Sequence, residues 1–283
     1  MPYCTTPMNI ELYYEVSGPE DGEPLMLVHG LGAQMIAWYP GFVEMLEGAG
    51  FRVIRFDNRD VGLSSKLDHA PDYSLLDMAA DVTHLMDHLG LSSAHIAGQS
   101  MGGMIAQQVA LSFPARVRSL NIIYSAPDAT FRLHDPAIEA VRSRRPSEDR
   151  DDRVRHYIEQ ERISGLEGFD EAWIQAFAES VIDRSYCPEG QARQSAAIAK
   201  ASPRLEDLRK LSMPVAVLHG RSDPLLSFEG SIAMARFIDE AELCIFAGMK
   251  HQLPPRLWPD FTAIISRTAI RAGAKLIAPA HVR

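Results

Sequence analysis

The chain has little cysteine: Cys4, Cys187 and Cys244 are the only three among 283 residues. Three scattered thiols are too few for a disulfide framework, and they lack the paired spacing of a zinc site. The expectation is reduced thiols, a reducing compartment and a cytoplasmic location. No run of about 18 apolar residues exists, so no membrane span is expected. The N-terminal residues lack a basic start followed by an apolar stretch, so no signal peptide is expected either. Positive charge is also scarce, with 28 Lys and Arg against 37 Asp and Glu and a net charge of −9. Phosphate-backbone affinity comes mainly from Lys and Arg, so no nucleic-acid partner is expected. There is no low-complexity tract and no internal repeat.

What is present is the mix of an ordinary globular chain, 46% hydrophobic and 23% charged. The length suits one large α/β domain, or one domain carrying an insertion. Ile10, Leu12, Tyr14 and Val16 alternate with polar or smaller neighbours, the period of a half-buried strand. Short apolar runs at 25–28, 51–56, 94–97, 120–124, 215–218 and 243–246 are bounded by turn residues, as parallel strands buried on both faces would be. Leu75, Met78, Ala79, Val82, Leu85, Met86 and Leu89 share one helical face. Ser74 and Asp77 form a capping box at its start, and Gly90 supplies its stop. Residues 257–272 predict a closing helix.

The texture changes between the runs ending near 125 and beginning near 214. Residues 128–211 hold 31 charged side chains in 84 positions, against 34 in the remaining 199. Long charged helices with one apolar stripe fit this segment, and it reads as a helical insertion lying on the sheet. The expected division is a core of 1–127 and 212–283 with a cap of 128–211. Phe131, Tyr157, Phe169, Trp173, Phe177 and Tyr186 are candidates to wall an apolar pocket, though packing within the helices explains them as well.

The sharpest signal is Gly98-Gln99-Ser100-Met101-Gly102, a G-x-S-x-G sequence after a strand (94–97) and before a helix (103–113). A sharp strand-to-helix turn lifts Ser100 out of the sheet edge, and the flanking residues must be small for the backbone to take that turn. Serine needs a base to become a nucleophile. Asp223 follows the 215–218 strand and His251 follows the last strand, 123 and then 28 residues further on. The C-terminal ends of neighbouring parallel strands meet at one crevice, where such sheets place ligands. Asp128 also follows a core strand and is the fallback acid. His29 precedes a turn and fits a structural role better than that of a base. Apart from His251, only His281, in the C-terminal tail, follows the final strand. An oxyanion needs two backbone donors, for which Met101 and, in His29-Gly30-Leu31-Gly32, Leu31 are the candidates.

Together with Asp57-Asn58-Arg59-Asp60-Val61-Gly62-Leu63-Ser64, His219 to Asp223 and Gly248 to His251, these motifs resemble the α/β-hydrolase superfamily, in the family's order, over about residues 8–272. The resemblance implies a mostly parallel eight-stranded sheet flanked by helices, with a helical cap after strand six. It also implies Ser100 as nucleophile, His251 as base and Asp223 as its partner. The 57–64 segment looks most like the branch of the aclacinomycin methylesterases, in which it is chiefly a structural turn near the active site. Many relatives carry His where Gln99 stands, so the elbow assigns no subfamily. A serine at the elbow argues against haloalkane dehalogenases and epoxide hydrolases, whose elbow residue is aspartate.

The expectation is a serine hydrolase of a small or medium-sized carboxylic ester, working without metal or organic cofactor, its partner a small-molecule substrate and a homodimer left open. The alternatives are a carbon–carbon bond hydrolase of the meta-cleavage type, a cofactor-free haloperoxidase-like enzyme, or a non-catalytic ligand-binding protein on the same fold.

Overall fold

The computed structural model describes residues 2–67 and 72–276, so His281 lies outside the described residues. Eight strands form one sheet: β1 (Tyr3–Thr5), β2 (Glu11–Ser17), β3 (Glu23–Val28), β4 (Phe51–Phe56), β5 (Ala94–Gln99), β6 (Val117–Ile123), β7 (Val215–Gly220) and β8 (Glu242–Phe246). Their order is β1-β2-β4-β3-β5-β6-β7-β8. β1 and β2 run antiparallel to their neighbours, and every pairing from β4 to β8 is parallel. This is the α/β-hydrolase arrangement that the motifs implied.

The alternation of side chains along β3 shows how the layers are made. Leu25 and Leu27 point to one face, against Phe42 and Leu46 of α1 (Pro40–Gly48) and Phe261 and Ile265 of α9 (Trp258–Arg271). Met26 and Val28 point to the other. There they meet α2 (Leu75–His88) and α3 (Met101–Ser112) through Met78, Val82, Ile105 and Val109. A sheet covered on both faces needs strands apolar on both faces, which is why the central runs lack a polar side. β8 is the exception. It is an edge strand, and its residues are only partly covered.

The capping box at Ser74 is present. The Asp77 N–H donates to Ser74 Oγ at 3.3 Å, and the Ser74 N–H donates to Asp77 Oδ2 at 2.7 Å. The helix after Ser100 and two short elements differ from the sequence reading. α3 begins at Met101 rather than 103, because the glycines after Ser100 are accepted in a tightly packed first turn. β1 and α1 carry too short a pattern to be read from the sequence.

Between β6 and β7 lie four helices, α4 (Pro136–Ser143), α5 (Arg150–Ser164), α6 (Glu171–Arg184) and α7 (Pro188–Ala199). Asp135, Asp149 and Asp170 cap the first three through their side chains. α8 (Glu229–Phe237) then joins β7 to β8. Among the described residues no helix is long and apolar enough to cross a membrane.

Candidate active site

Ser100 stands between β5 and α3 with φ +54° and ψ −119°. A side chain at positive φ is strained by about 1–3 kcal/mol and needs surrounding structure to hold it there. The elbow provides that. A Cβ on Gly98 would lie 2.2 Å from the Gly102 carbonyl oxygen, and one on Gly102 would lie 2.1 Å from that of Val28. Only hydrogen fits at either place. The Ser100 N–H donates to Ile123 O at 2.9 Å, and Ser125 Oγ donates to Ser100 O at 2.7 Å, which ties the turn to β6.

The loops after β7 and β8 bring in the other two side chains. His251 Nε2 is 2.8 Å from Ser100 Oγ, and His251 Nδ1 is 2.6 Å from Asp223 Oδ2. The sequence candidates Ser100, His251 and Asp223 thus stand in one hydrogen-bonded line. Asp223 is almost completely buried, and its Oδ1 accepts the N–H groups of Leu225 and Leu226 at 2.8 and 2.9 Å. Burial alone would raise its pKa. The facing His251 and the hydrogen bonds from His219 and His251 outweigh that, and hold the carboxyl well below the usual carboxylate range.

His219 is a partner that the sequence reading did not assign. Its Nε2 faces two acceptors, Asp223 Oδ2 at 3.0 Å and Leu226 O at 3.2 Å. That nitrogen therefore carries the proton, and Nδ1 accepts from Ser231 Oγ at 2.7 Å. The signal was present, since His219 ends a buried strand four residues before Asp223, but spacing does not reveal which way the ring turns.

Met101 directly follows Ser100, and Leu31 lines the same cavity. Met101 opens α3, where first-turn amides have no helical acceptor. Among the described residues neither amide has an intramolecular acceptor. A Cβ on Gly30 would sit 3.1 Å from Ser100 Cβ, so the 29–32 loop passes close to Ser100. His29 keeps the structural role. Burial lowers its pKa to about 4, and its Nδ1 accepts the Gly30 N–H at 2.7 Å. Asp128, the fallback acid, instead accepts the Thr130 N–H at 2.8 Å.

These groups open into a cavity of about 1660 Å³, lined by Ser100, His251, Leu31 and Met101 on the sheet side and by residues of α4 to α7 opposite. Of the six aromatic candidates, Tyr157 and Tyr186 line it. Phe169, Trp173 and Phe177 stack on one another and against Tyr39, so they pack instead. Phe131 lies against Gly230, and Trp38 is buried on Phe42. Three further cavity residues went unread in the sequence. Tyr124 takes φ +31°, packs its ring 4.8 Å from that of His251, and donates its hydroxyl to Gln99. Gln252 donates Nε2 to both Tyr39 Oη and Glu161 Oε2, at 3.0 Å each. Glu161 reaches in from α5. Its pKa is raised to about 7 by burial, against the opposing pull of Arg142, His251 and the Gln252 bond.

The 57–64 turn is structural, as the resemblance implied. Asp57 accepts the N–H groups of Met35 and Leu63 at 2.8 Å each, and Arg184 of α6 approaches its carboxylate to 2.7 Å. Among the described residues no cluster of three or more His, Cys, Asp or Glu is placed to hold a metal ion.

Fold and motif order place the chain in a class, and comparison with known proteins agrees. A family model described as the alpha/beta hydrolase fold matches residues 23–253, and the chain belongs to that family. Among its relatives is rhodomycin D methylesterase DnrP of Streptomyces peucetius, 36% identical over 140 residues, 49% of this chain and 46% of that one. Another is 2-hydroxy-6-oxo-2,4-heptadienoate hydrolase of Pseudomonas putida, 28% identical over 244 residues, 81% of this chain and 83% of that one. The chain spans less than half the length of the curated relatives it matches at 35–42% identity. A solved meta-cleavage product hydrolase, CumD of Pseudomonas fluorescens IP01, superposes with a TM-score of 0.79 at 22% identity, covering 95% of this chain and 97% of that one. At that identity the likeness bears on the fold alone.

Proposed function

We propose that this chain is a serine-dependent hydrolase of a small or medium-sized carboxylic ester. One observation carries the reading: the unbroken line from the Ser100 hydroxyl through both nitrogens of His251 to the buried Asp223 carboxylate, at 2.8 and 2.6 Å.

Ser100 Oγ attacks the ester carbonyl as His251 Nε2 removes its proton. Asp223 keeps the His251 proton on Nδ1 and stabilises the imidazolium that forms. The amides of Leu31 and Met101 hold the oxyanion, each contributing about 3 kcal/mol to the barrier reduction. Collapse of the tetrahedral species breaks the ester C–O bond, and the alkoxide takes the proton from His251. Water then attacks the acyl-enzyme with His251 again as base, releasing the acid and restoring Ser100. No step calls for a metal or organic cofactor. In this reading residues 128–211 act as a cap that limits substrate size. The methylesterase relative supports an ester substrate.

Carbon–carbon bond hydrolysis by the same three residues is the second reading, favoured by the dienoate hydrolase relative that matches 81% of the chain. The test is Ser100→Ala against the parent with p-nitrophenyl acetate and a ring-cleavage dienoate. Ester turnover that falls at least about a thousandfold supports the first reading. Undiminished turnover removes the mechanism, and turnover of the dienoate alone moves the assignment to the second.

A further inference from the structure

Gln194 of α7 is completely buried, and both ends of its side-chain amide are used. Oε1 accepts the N–H of Gly32 at 2.8 Å, and Nε2 donates to Arg59 O at 2.8 Å. One residue of the inserted helices therefore reaches both the loop beside Ser100 and the turn containing Asp57 and Asp60. Its neighbour Arg193 makes two bonds to the Asp60 carboxylate, at 2.9 and 2.7 Å, so α7 is seated on that turn. Gly32 has φ +69°, and a Cβ there would come within 2.8 Å of the Gln191 side chain. Loop and helix are in contact with no room for a side chain between them.

The consequence follows from the rigidity of the peptide unit. The Gly32 N–H belongs to the plane that joins Leu31 to Gly32, and holding one atom of a plane restrains all six. Restraining that plane limits ψ of Leu31 and so the direction of its own N–H. Glycines on both sides of Leu31 give the backbone there more conformational freedom than other residues would. An oxyanion donor acts through its fixed aim, so freedom here weakens it.

We propose that Gln194 is a positioning residue for the oxyanion hole, making the aim of the Leu31 amide depend on α7 being seated on the core. This rests on the reading of Leu31 and Met101 as the oxyanion donors. The segment that walls the cavity then also completes its machinery.

The experiment compares the full-length parent with Gln194→Met, which keeps side-chain length but offers Gly32 no comparable acceptor. With p-nitrophenyl acetate, kcat falls about tenfold, the worth of one hydrogen bond, while KM stays within about twofold. The rate at which a fluorophosphonate labels Ser100 falls by a similar factor, because phosphonylation places an oxyanion in the same hole. A folded variant with both rates within twofold of the parent overturns the proposal, and so does a rise in KM with kcat unchanged. Should Gln194→Met fail to fold, Arg193→Gln loosens the same helix without touching Gly32. Faster hydrogen exchange at residues 29–34 with a matching fall in kcat supports the proposal, and faster exchange with kcat unchanged overturns it. A parent that the fluorophosphonate does not label at Ser100 sinks the hydrolase reading itself, an outcome distinct from equal labelling of parent and variant.

Discussion

Leu27, Ala97, Ile123 and Leu218, from four adjoining strands, are shut off from solvent and back the loops that carry Ser100, Asp223 and His251. On the opposite wall of the cavity the contacts are of another kind. α4 buries no side chain, and α5 buries only Val154, His156 and Ser164. α6 and α7 add polar fastenings to the few apolar contacts they make. Arg184 meets Asp57, Arg193 meets Asp60, Gln194 meets Gly32, and Gln34 Nε2 donates to the carbonyls of Val181 and Ser185 at 2.8 and 2.9 Å. Apolar burial is non-directional and tolerates small shifts. A buried hydrogen-bonded charge is directional and costly to leave unpaired. The sheet therefore supplies stability, and the polar fastenings fix the position of the helices above it.

The comparison can be broken from either side. The largest effect is expected from Asp223→Asn, about a ten-thousandfold loss of kcat on the ester, or about 5.5 kcal/mol of barrier. The melting temperature, measured separately, should move far less than the rate implies, and a loss of kcat under tenfold would sink the role given to Asp223. Next is Leu120→Ala in β6, completely buried in the sheet. It should cost about 2–5 kcal/mol in denaturant unfolding, in a single transition. Arg184→Gln should cost somewhat less, about 2–3 kcal/mol, because it strips the buried Asp57 of its charge partner while two amide bonds remain. Its signature is local, with hydrogen exchange rising in α6 before it rises in β5, and equal rises in both would contradict the contrast.

Glu161→Gln tests the helical wall by pH. The Glu161 carboxyl has a folded pKa of about 7 against an ordinary 4.5. Between those values the folded state holds the extra proton, so the parent loses stability as pH rises through that window. The Gln variant has no such proton to lose. It should match the parent near pH 4 and exceed it by about 3 kcal/mol at pH 8. Equal melting temperatures at pH 8 would show that the carboxyl is not desolvated. The smallest effect belongs to Arg150→Ala. Its ion pair with Asp183 joins α5 to α6 in the open, and exposed pairs are screened by salt. The variant and parent should melt together at 1 M salt.

The same contrast explains what could be read beforehand. Ser100, Asp223 and His251 were legible because each lies at a point where an apolar run stops, and the order of such stops follows from sheet topology. Helix α2 announced itself by its stripe and its capping box. The aromatic residues of α6 and just before it were harder. Phe169, Trp173 and Phe177 recur at helical spacing, but spacing does not say whether the stripe faces a cavity or Tyr39. Gln194, Gln252 and Glu161 look like ordinary polar residues of charged helices or loops. Their importance lies in a partner far along the chain, Gly32 being 162 residues from Gln194.

Sequence alone determined the sheet with its buried strands, the strained serine and the loops that carry Asp223 and His251, since burial and turn geometry are written in local patterns of residue type. Tertiary structure alone decided that His219 shares the Asp223 carboxylate, that Tyr124 lies against His251, and that α7 is bonded to the loop beside Ser100. Hydrogen bonds depend on distance and angle between groups the chain brings together only on folding, and no local pattern encodes those.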